Sequence, residues 1–165
     1  MVLKFLLMSD VHGNKEKAKE ILKSEDYDFS VSLGDTELID DWVTRNFSYA
    51  VAGNNDWNSS LKYEYKFEIM NTKFFIAHGH TIGYGGYDTL LNAQKIDKAT
   101  KYIDFDFMFS GHTHVPNFFK NEDQTKIFIN PGSITYPRMN SPHSYCVATI
   151  NTETKELLNL EFKRC

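Results

Sequence analysis

The segment VLKFLLM-SDVHGN, residues 2–14, decides the fold class of this chain. Seven almost continuously apolar residues are typical of a strand that is buried on both faces, and the polar, glycine-containing stretch ends it abruptly. Five more short apolar runs end in the same way, in Gly, Asp, Asn or His, at residues 29–33, 49–52, 74–77, 105–109 and 127–129. This repetition predicts several buried strands that lead into polar loops.

Helical patterns separate several of these runs. Asn14 is a candidate N-cap for a helix at 15–24, in which Ala18 and Ile21 begin an apolar stripe. The spacing also predicts a short helix at 38–46 and a third helix at 86–101. Alternating segments predict a hairpin at 64–70 and 73–77, and later strands at 115–120, 126–129, 145–150 and 156–162. Helices between the early strands and a strand-rich end together predict an α/β fold with two packed sheets.

Length and composition limit the classes of protein to which the chain belongs. With 165 residues, of which 41 % are hydrophobic and 24 % charged, we expect one folded domain over residues 1–165. A formal net charge of −4 argues against a nucleic-acid binder, and no apolar run approaches the roughly 20 residues of a membrane helix. Because there are two cysteines, we expect a cytoplasmic location. The 13 Phe and 9 Tyr residues are compatible with a homodimer.

Polar side chains gather where the predicted strands end. In open α/β sheets, ligands bind beyond the carboxyl ends of the strands. The side chains at these ends are two carboxylates, four imidazoles and one amide: Asp10, Asp35, His12, His78, His112, His114 and Asn54. Seven ligands are more than one tetrahedral ion uses. Oxygen and nitrogen donors without thiolate suit two divalent ions about 3.5–4 Å apart.

The net charge of such a site indicates which class of ligand it attracts. Two divalent ions contribute about +4, the carboxylates of Asp10 and Asp35 about −2, and a bridging hydroxide about −1. The remaining charge of about +1 attracts a phosphate ester, and phosphoryl transfer depends mainly on positioning and charge neutralisation. The residues therefore predict a metal-dependent hydrolase that acts on a small phosphoester substrate.

The chain resembles the calcineurin-like metallophosphoesterase superfamily in five motifs that follow one another in order: Asp10-x-His12, Gly34-Asp35, Gly53-Asn54-Asn55-Asp56, His78-Gly79-His80 and Gly111-His112-Thr113-His114. The short length, the His-Gly-His motif and the segment Asn130-Pro131-Gly132-Ser133 are most similar to its small, single-domain YfcE-like phosphodiesterase branch. The resemblance covers residues 2 to about 150 and implies a four-layer α/β/β/α sandwich of two mixed β-sheets flanked by helices.

The resemblance also implies roles for the polar side chains. Asp10, His12 and His114 would hold a first metal ion, and Asn54, His78 and His112 a second. Asp35 would bridge the two ions. Manganese is the expected metal, and iron, nickel or zinc would fit the same ligands. The implied reaction is hydrolysis of phosphodiester bonds through a metal-bridging hydroxide.

Four further residues are candidates for catalysis or substrate binding. Asp56 and His80 are the catalytic candidates, while Asn55 and Arg138 are the candidates for substrate contact, since Arg binds phosphate through two parallel hydrogen bonds. Three of them have a structural alternative: Asp56 as a cap, His80 as a partner of the backbone, and Arg138 as a solvated charge. Much of the superfamily has His at the position of Asn55, and Asn cannot deliver a proton to the leaving group.

Two other functions stay open at this point. A relative with this fold serves as a subunit of a membrane-coat complex after losing ligand histidines, so a non-catalytic interaction scaffold is one alternative. A phosphomonoesterase or nucleotide pyrophosphatase is the other. Because all seven ligand positions are filled with metal-binding residue types here, the sequence favours the enzyme over the scaffold.

Overall fold

A computed structural model describes residues 1–83 and 86–165, and its frame is a pair of five-stranded sheets. The strands are β1 (Val2–Met8), β2 (Phe29–Ser32), β3 (Tyr49–Ala50), β4 (Glu64–Ile69), β5 (Thr72–Ala77), β6 (Phe107–Phe109), β7 (Pro116–Lys120), β8 (Ile127–Pro131), β9 (Ser144–Asn151) and β10 (Glu156–Arg164). The helices in the described residues are α1 (Lys15–Ser24), α2 (Asp40–Asn46), α3 (Tyr87–Leu90) and α4 (Ala93–Ala99).

Both sheets are mixed. The first has the strand order β10-β9-β1-β2-β3, with β1, β2 and β3 parallel and β9 and β10 antiparallel to their neighbours. The second has the order β4-β5-β6-β8-β7, in which β5, β6 and β8 are parallel. The parallel strands of each sheet all end at one edge, which therefore collects the loops after β1, β2, β3, β5 and β6.

The main core lies between the sheets. Phe5 of β1 and Phe74 of β5 face each other with ring centroids 4.9 Å apart, and both are fully buried. Helices α1 and α2 cover the outer face of the first sheet through residues such as Ile21 and Val43. Helices α3 and α4 cover the outer face of the second through Leu90 and Ile96. The predicted four-layer α/β/β/α sandwich is therefore confirmed.

The prediction of one continuous third helix is wrong. Instead of one helix at 86–101, the chain forms α3 and α4 with a break at Leu91 and Asn92. The side chain of Asn92 accepts hydrogen bonds from the backbone N–H groups of Gln94 and Lys95, so it caps α4 instead of continuing α3. An Asn side chain competes with helical hydrogen bonds in this way, whereas the apolar spacing alone does not reveal it.

None of the helices in residues 1–83 and 86–165 combines the length and apolar character that crossing a bilayer requires.

Candidate metal centre

The loops at the carboxyl edge of the two sheets bring most of the predicted ligands together. Two overlapping groups of side chains have donor atoms within 4.8 Å of one another, namely Asp10 with His12 and His114, and Asp10 with Asp35 and His78. These residues come from the loops after β1, β2, β5 and β6, which are far apart in the sequence. The fold therefore assembles the site from both sheets.

The backbone is strained at many of these positions. Five of the predicted ligands have a left-handed backbone conformation with φ between 44° and 68°: Asp10, His12, Asp35, His112 and His114. Such a conformation is uncommon for residues other than glycine and costs on the order of 1–3 kcal/mol each. Strain of this kind persists where the surrounding structure fixes it, and it is concentrated at functional sites.

Three of the histidines are oriented by a hydrogen bond at Nδ1. His78 and His114 donate to the backbone carbonyls of Leu33 and Tyr136, at 2.7 and 2.6 Å. His12 Nδ1 lies 2.5 Å from a carboxylate oxygen of Glu37. Because a carbonyl oxygen accepts only, Nδ1 of His78 and His114 must carry a proton, so Nε2 is the ring atom left to face the interior of the site and to bind a metal ion there.

The Nε2 atoms face carboxylate oxygens. His114 Nε2 lies 3.0 Å from Asp10 Oδ1, and His78 Nε2 lies 3.3 Å from Asp35 Oδ2. The Nε2 atoms of His12 and His114 are 3.3 Å apart. Lone pairs and anionic oxygens at these separations repel one another, so a proton or a metal cation between them would stabilise the arrangement.

A buried atom without a partner supports the same interpretation. Asp10 is fully buried, and its Oδ1 accepts no hydrogen bond from any part of the chain that the structure describes. Its Oδ2, in contrast, accepts from the hydroxyl of Ser9 at 2.6 Å and from the backbone N–H of His112 at 3.1 Å. The residues present thus fit a divalent cation at Oδ1, since buried charges in proteins are paired or coordinate metals.

Asp35 reaches both groups. Its Oδ2 lies 3.3 Å from His78 Nε2 and 3.9 Å from His12 Nε2. Asn55 holds this carboxylate with two hydrogen bonds of 2.8 Å, from its backbone N–H to Oδ1 and from its side-chain amide to Oδ2. Gly53 is needed beside it, because a Cβ at this position would collide with Asp35 Oδ1.

The charges of the site shift the pKa values of its groups. Burial alone would lower the pKa of His78, but the carboxylates of Asp10 and Asp35 raise it above its usual value. Burial would raise the pKa of Asp35, yet His78 and Asn55 hold it well below its usual range. Burial and the neighbouring His78 lower the pKa of His112 to about 4. His112 is therefore a neutral ring at physiological pH, as a metal ligand must be.

The two remaining predicted ligands, His112 and Asn54, are not part of these two groups. His112 Nδ1 lies 3.2 Å from His78 Nε2, which places it beside the second group. Asn54 follows β3 as expected, but it is exposed, and its side chain makes no hydrogen bond within the described residues. Its carbonyl accepts a 2.8 Å hydrogen bond from the indole of Trp57. The structure thus brings six of the seven predicted ligands together, and the role of Asn54 as a ligand stays a prediction.

The catalytic and substrate candidates have structural partners. Asp56 accepts hydrogen bonds of 2.8 Å from the backbone N–H groups of Gly53 and Glu37, which fasten the loops after β2 and β3 to each other. Asn55 is engaged with Asp35, as described above. The structural alternative for Asp56 is therefore present, and catalytic or substrate-binding roles for Asp56 and Asn55 stay predictions.

His80 and Arg138 lie at the margin of the centre. The ring of His80 packs edge-on against Tyr63, and its Nδ1 has no hydrogen-bond partner among the described residues. The guanidinium of Arg138 lies over the ring of Tyr87, 4.7 Å from its centroid, and that ring stacks on His112. Arg138 is thus placed close to the site, with its role in phosphate binding still a prediction.

Glu37 is a site residue that sequence reasoning missed. Its carboxylate contacts His12 Nδ1, and its own backbone has a left-handed φ of 54°. A carboxylate behind a ligating histidine fixes the ring orientation and increases its basicity. The signal was present in the motif Gly34-Asp35-Thr36-Glu37, but only the strained turn shows that the side chain points back to His12.

The chain is similar to known proteins over most of its length. Probable metallophosphoesterase YsnB of Bacillus subtilis is 29 % identical over 150 residues, covering 90 % of this chain and 85 % of that protein. Phosphodiesterase MJ0936 of Methanocaldococcus jannaschii is 28 % identical over 177 residues, covering 93 % and 96 % of the two chains. Both relatives extend over nearly the whole length of the present chain.

Solved structures share the fold. A predicted phosphoesterase from Streptococcus pneumoniae superposes with a TM-score of 0.78 at 25 % identity, covering 99 % of this chain and 98 % of that one. Vps29 of Entamoeba histolytica complexed with Zn²⁺ superposes with a TM-score of 0.70 at 18 % identity, covering 99 % and 98 %. At that identity the likeness to Vps29 concerns the fold alone.

A family model identifies the chain more directly. The model of the calcineurin-like phosphoesterase superfamily domain matches residues 3–153, which include all seven predicted ligands. The resemblance inferred from the five sequence motifs is thereby confirmed. By its sequence, its two mixed sheets and the side chains gathered at their carboxyl edge, the chain belongs to the calcineurin-like phosphoesterase superfamily.

Proposed function

We propose that the chain hydrolyses phosphodiester bonds with the help of two divalent metal ions. The observation that carries this proposal is the convergence of Nε2 lone pairs on two buried carboxylates, with Oδ1 of Asp10 left without a hydrogen bond. In this arrangement Asp10, His12 and His114 would hold one ion, and His78, His112 and Asn54 would hold the other. Asp35, whose carboxylate lies near donors of both groups, would be shared by the two ions.

Mn²⁺ is the metal that the family resemblance implies, and iron, nickel or zinc would fit the same imidazole nitrogens and carboxylate oxygens. When bound, two such ions supply Lewis acidity toward a phosphoryl group and a nucleophile derived from water. The protein contributes the rest: Asn55 fixes Asp35, and the hydrogen bonds at Nδ1 fix His12, His78 and His114.

The preferred ester depends on whether a side chain can protonate the leaving group. The amide of Asn55 donates to Asp35, so it neither carries a transferable proton nor points to a leaving group. Burial and the neighbouring His78 lower the pKa of His80, which leaves this ring neutral at physiological pH. Because general acid catalysis contributes about 10²–10⁴-fold and matters most for poor leaving groups, we propose a preference for phosphodiesters with good leaving groups. The name of the relative from M. jannaschii supports a diester.

A leaving-group series tests this proposal. We expect protein loaded with Mn²⁺ to cleave aryl phosphodiesters far faster than alkyl phosphomonoesters, and EDTA to abolish both activities. Asn55→His introduces a ring that can carry a proton, so it should raise the rates on poor leaving groups and flatten the dependence. A metal-loaded protein that turns over no phosphoester would favour the scaffold alternative. A shallow series in the unaltered protein would contradict the proposed leaving-group preference by showing that a general acid is present, with His80 the first residue to substitute.

A further inference from the structure

A groove of about 400 Å³ opens beside the candidate metal centre, between the loops that follow β2 and β3. Two of the residues that line it contact predicted ligands directly. Glu37 contacts His12, and Asn55 donates two hydrogen bonds to Asp35. The groove is therefore one side chain away from the candidate metal centre, within reach of an ester group that extends from a phosphate held there.

The groove presents apolar surface to water. The side chains of Trp57 and Ile39, which both line it, are 85 % and 71 % exposed. The indole N–H of Trp57 donates to the carbonyl of Asn54, and this bond fixes the ring on the loop that carries a predicted ligand. Trp42, in contrast, is partly buried and packs against Phe47, with the ammonium of Lys15 over its ring.

The negative charge of the groove disfavours anionic ligands. Three carboxylates line it, those of Glu37, Asp40 and Asp56, and neither Lys nor Arg is among its described lining residues. Ser59 and Ser60 donate to Asp40, and despite the opposing effect of burial these bonds lower the pKa of its carboxyl group. An additional phosphate or another anionic group would be repelled here, whereas a flat, uncharged ring would stack on the indole.

We propose that this groove binds an uncharged aromatic ester group of the phosphodiester substrate, stacked on Trp57, and that it disfavours polyphosphate chains. The inference rests on the proposed function and narrows it. A phosphodiester carries two organic groups, and a groove next to the metal centre gives one of them a binding site. The substrate class is thus a phosphodiester with an aryl or nucleobase-bearing group in preference to a dialkyl diester.

Competition between two inhibitors tests this inference. Diphenyl phosphate and diethyl phosphate have the same charge and differ in their ester groups, and both are measured against hydrolysis of bis(p-nitrophenyl) phosphate. Stacking on an aromatic side chain contributes about tenfold or more in affinity. We expect Trp57→Ala to raise the inhibition constant of diphenyl phosphate about tenfold, while that of diethyl phosphate changes less than about twofold.

Two further variants control for indirect effects. Trp57→Phe keeps an aromatic face and should retain most of the affinity for diphenyl phosphate. Tyr102→Ala removes an aromatic side chain that is 94 % exposed and outside the groove, so it should change neither constant. Diphenyl phosphate should also quench the fluorescence of the unaltered protein and not that of Trp57→Ala, which reports binding without turnover.

The outcomes separate this inference from the proposed function. If the unaltered protein with Mn²⁺ hydrolyses no phosphoester, the proposed function fails and this inference fails with it. If hydrolysis is intact and Trp57→Ala leaves the inhibition constant of diphenyl phosphate unchanged, only the aromatic site is overturned. Equal losses for both inhibitors would also overturn it, because they would indicate a disturbed metal centre.

Discussion

The two predicted metal positions are built to different degrees. In the first position every side chain is held by a further contact: Ser9 holds Asp10, Glu37 holds His12, and the carbonyl of Tyr136 holds His114. Such outer contacts fix the orientation of a ligand before a metal ion arrives. We infer that the first position is preformed.

The second position is held only in part. Asp35 is fixed by Asn55, and His78 by the carbonyl of Leu33. The ring of His112, however, is held by stacking against Tyr87 and has no backbone or carboxylate partner at its nitrogens within the described residues, and Asn54 is exposed with no side-chain hydrogen bond there. Because fewer of its side chains are fixed in advance, we expect the second ion to bind more weakly than the first.

The largest expected effect comes from the residue that the two positions share. Asp35→Ala removes the predicted bridge, so we expect activity on an aryl phosphodiester to fall by at least about 10³-fold. Metal analysis after dialysis should show that both positions have lost occupancy. Asp123→Ala, which removes an exposed acid away from the centre, should change neither quantity. Two ions still bound to Asp35→Ala would contradict the bridging assignment.

Metal binding should stabilise the fold, since it relieves the repulsion around Asp10. At a Mn²⁺ concentration 100 times the dissociation constant, the free energy of unfolding should rise by about 2.7 kcal/mol. For a chain of this length, that raises the melting temperature by about 5–10 °C. Thermal unfolding with Mn²⁺ and with EDTA measures the difference. Identical melting temperatures would refute a metal site at this edge of the sheets.

Glu37→Gln tests whether the first position depends on its outer contacts. The variant removes the charge behind His12, and loss of such a partner typically weakens metal binding 10–100-fold. We expect calorimetric titration with Mn²⁺ to show this weaker binding for the first ion alone. The difference in Mn²⁺ affinity between the two positions would then become smaller. Glu122→Gln, on an exposed loop, is the matched control. An unchanged first binding step would contradict the role of Glu37.

The smallest expected effect is a difference in pH dependence. The raised pKa of His78 in the metal-free protein means that its protonated form stabilises the fold below the unfolded pKa of about 6.5. This contribution is lost as the pH rises through the folded pKa, by at most about 1.4 kcal/mol per pH unit.

The metal-loaded protein should behave in the opposite way, because protons compete with metal for Nε2. Melting temperatures between pH 6 and 9 should therefore fall with EDTA and rise with Mn²⁺. In EDTA, the melting temperature of His78→Asn should no longer fall with pH. A melting temperature that rises with pH in EDTA would contradict the ionic environment described for His78.

The elements with strong local signals could be predicted from the sequence. Helix α1 begins and ends at the predicted residues, and Asn14 caps it through a hydrogen bond from the backbone N–H of Lys17. The strands also lie where apolar runs predicted them, with ends shifted by up to two residues. These features depend on neighbouring residues, so the local pattern contains the information.

Features that depend on tertiary contacts could not be predicted. The break at Asn92 depends on the side chain capping α4, and the position of Glu37 depends on a left-handed turn that no residue type in the motif requires. For the same reason the motif identified Asn54 as a ligand but did not reveal that its side chain is exposed. Motifs thus indicated which residues gather at the site, whereas their orientation required the backbone.

The strained backbone at Asp10, His12, Asp35, His112 and His114 has a consequence for how this family changes over time. Glycine, and to a lesser degree asparagine, adopts a left-handed φ at lower cost than aspartate or histidine. Replacing a ligand by either residue should therefore stabilise the metal-free chain while it weakens metal binding, which is a conflict between stability and function. In a lineage that no longer needs the metal, selection for stability would favour the loss of these ligands, so we expect the decay of the site to be rapid and difficult to reverse.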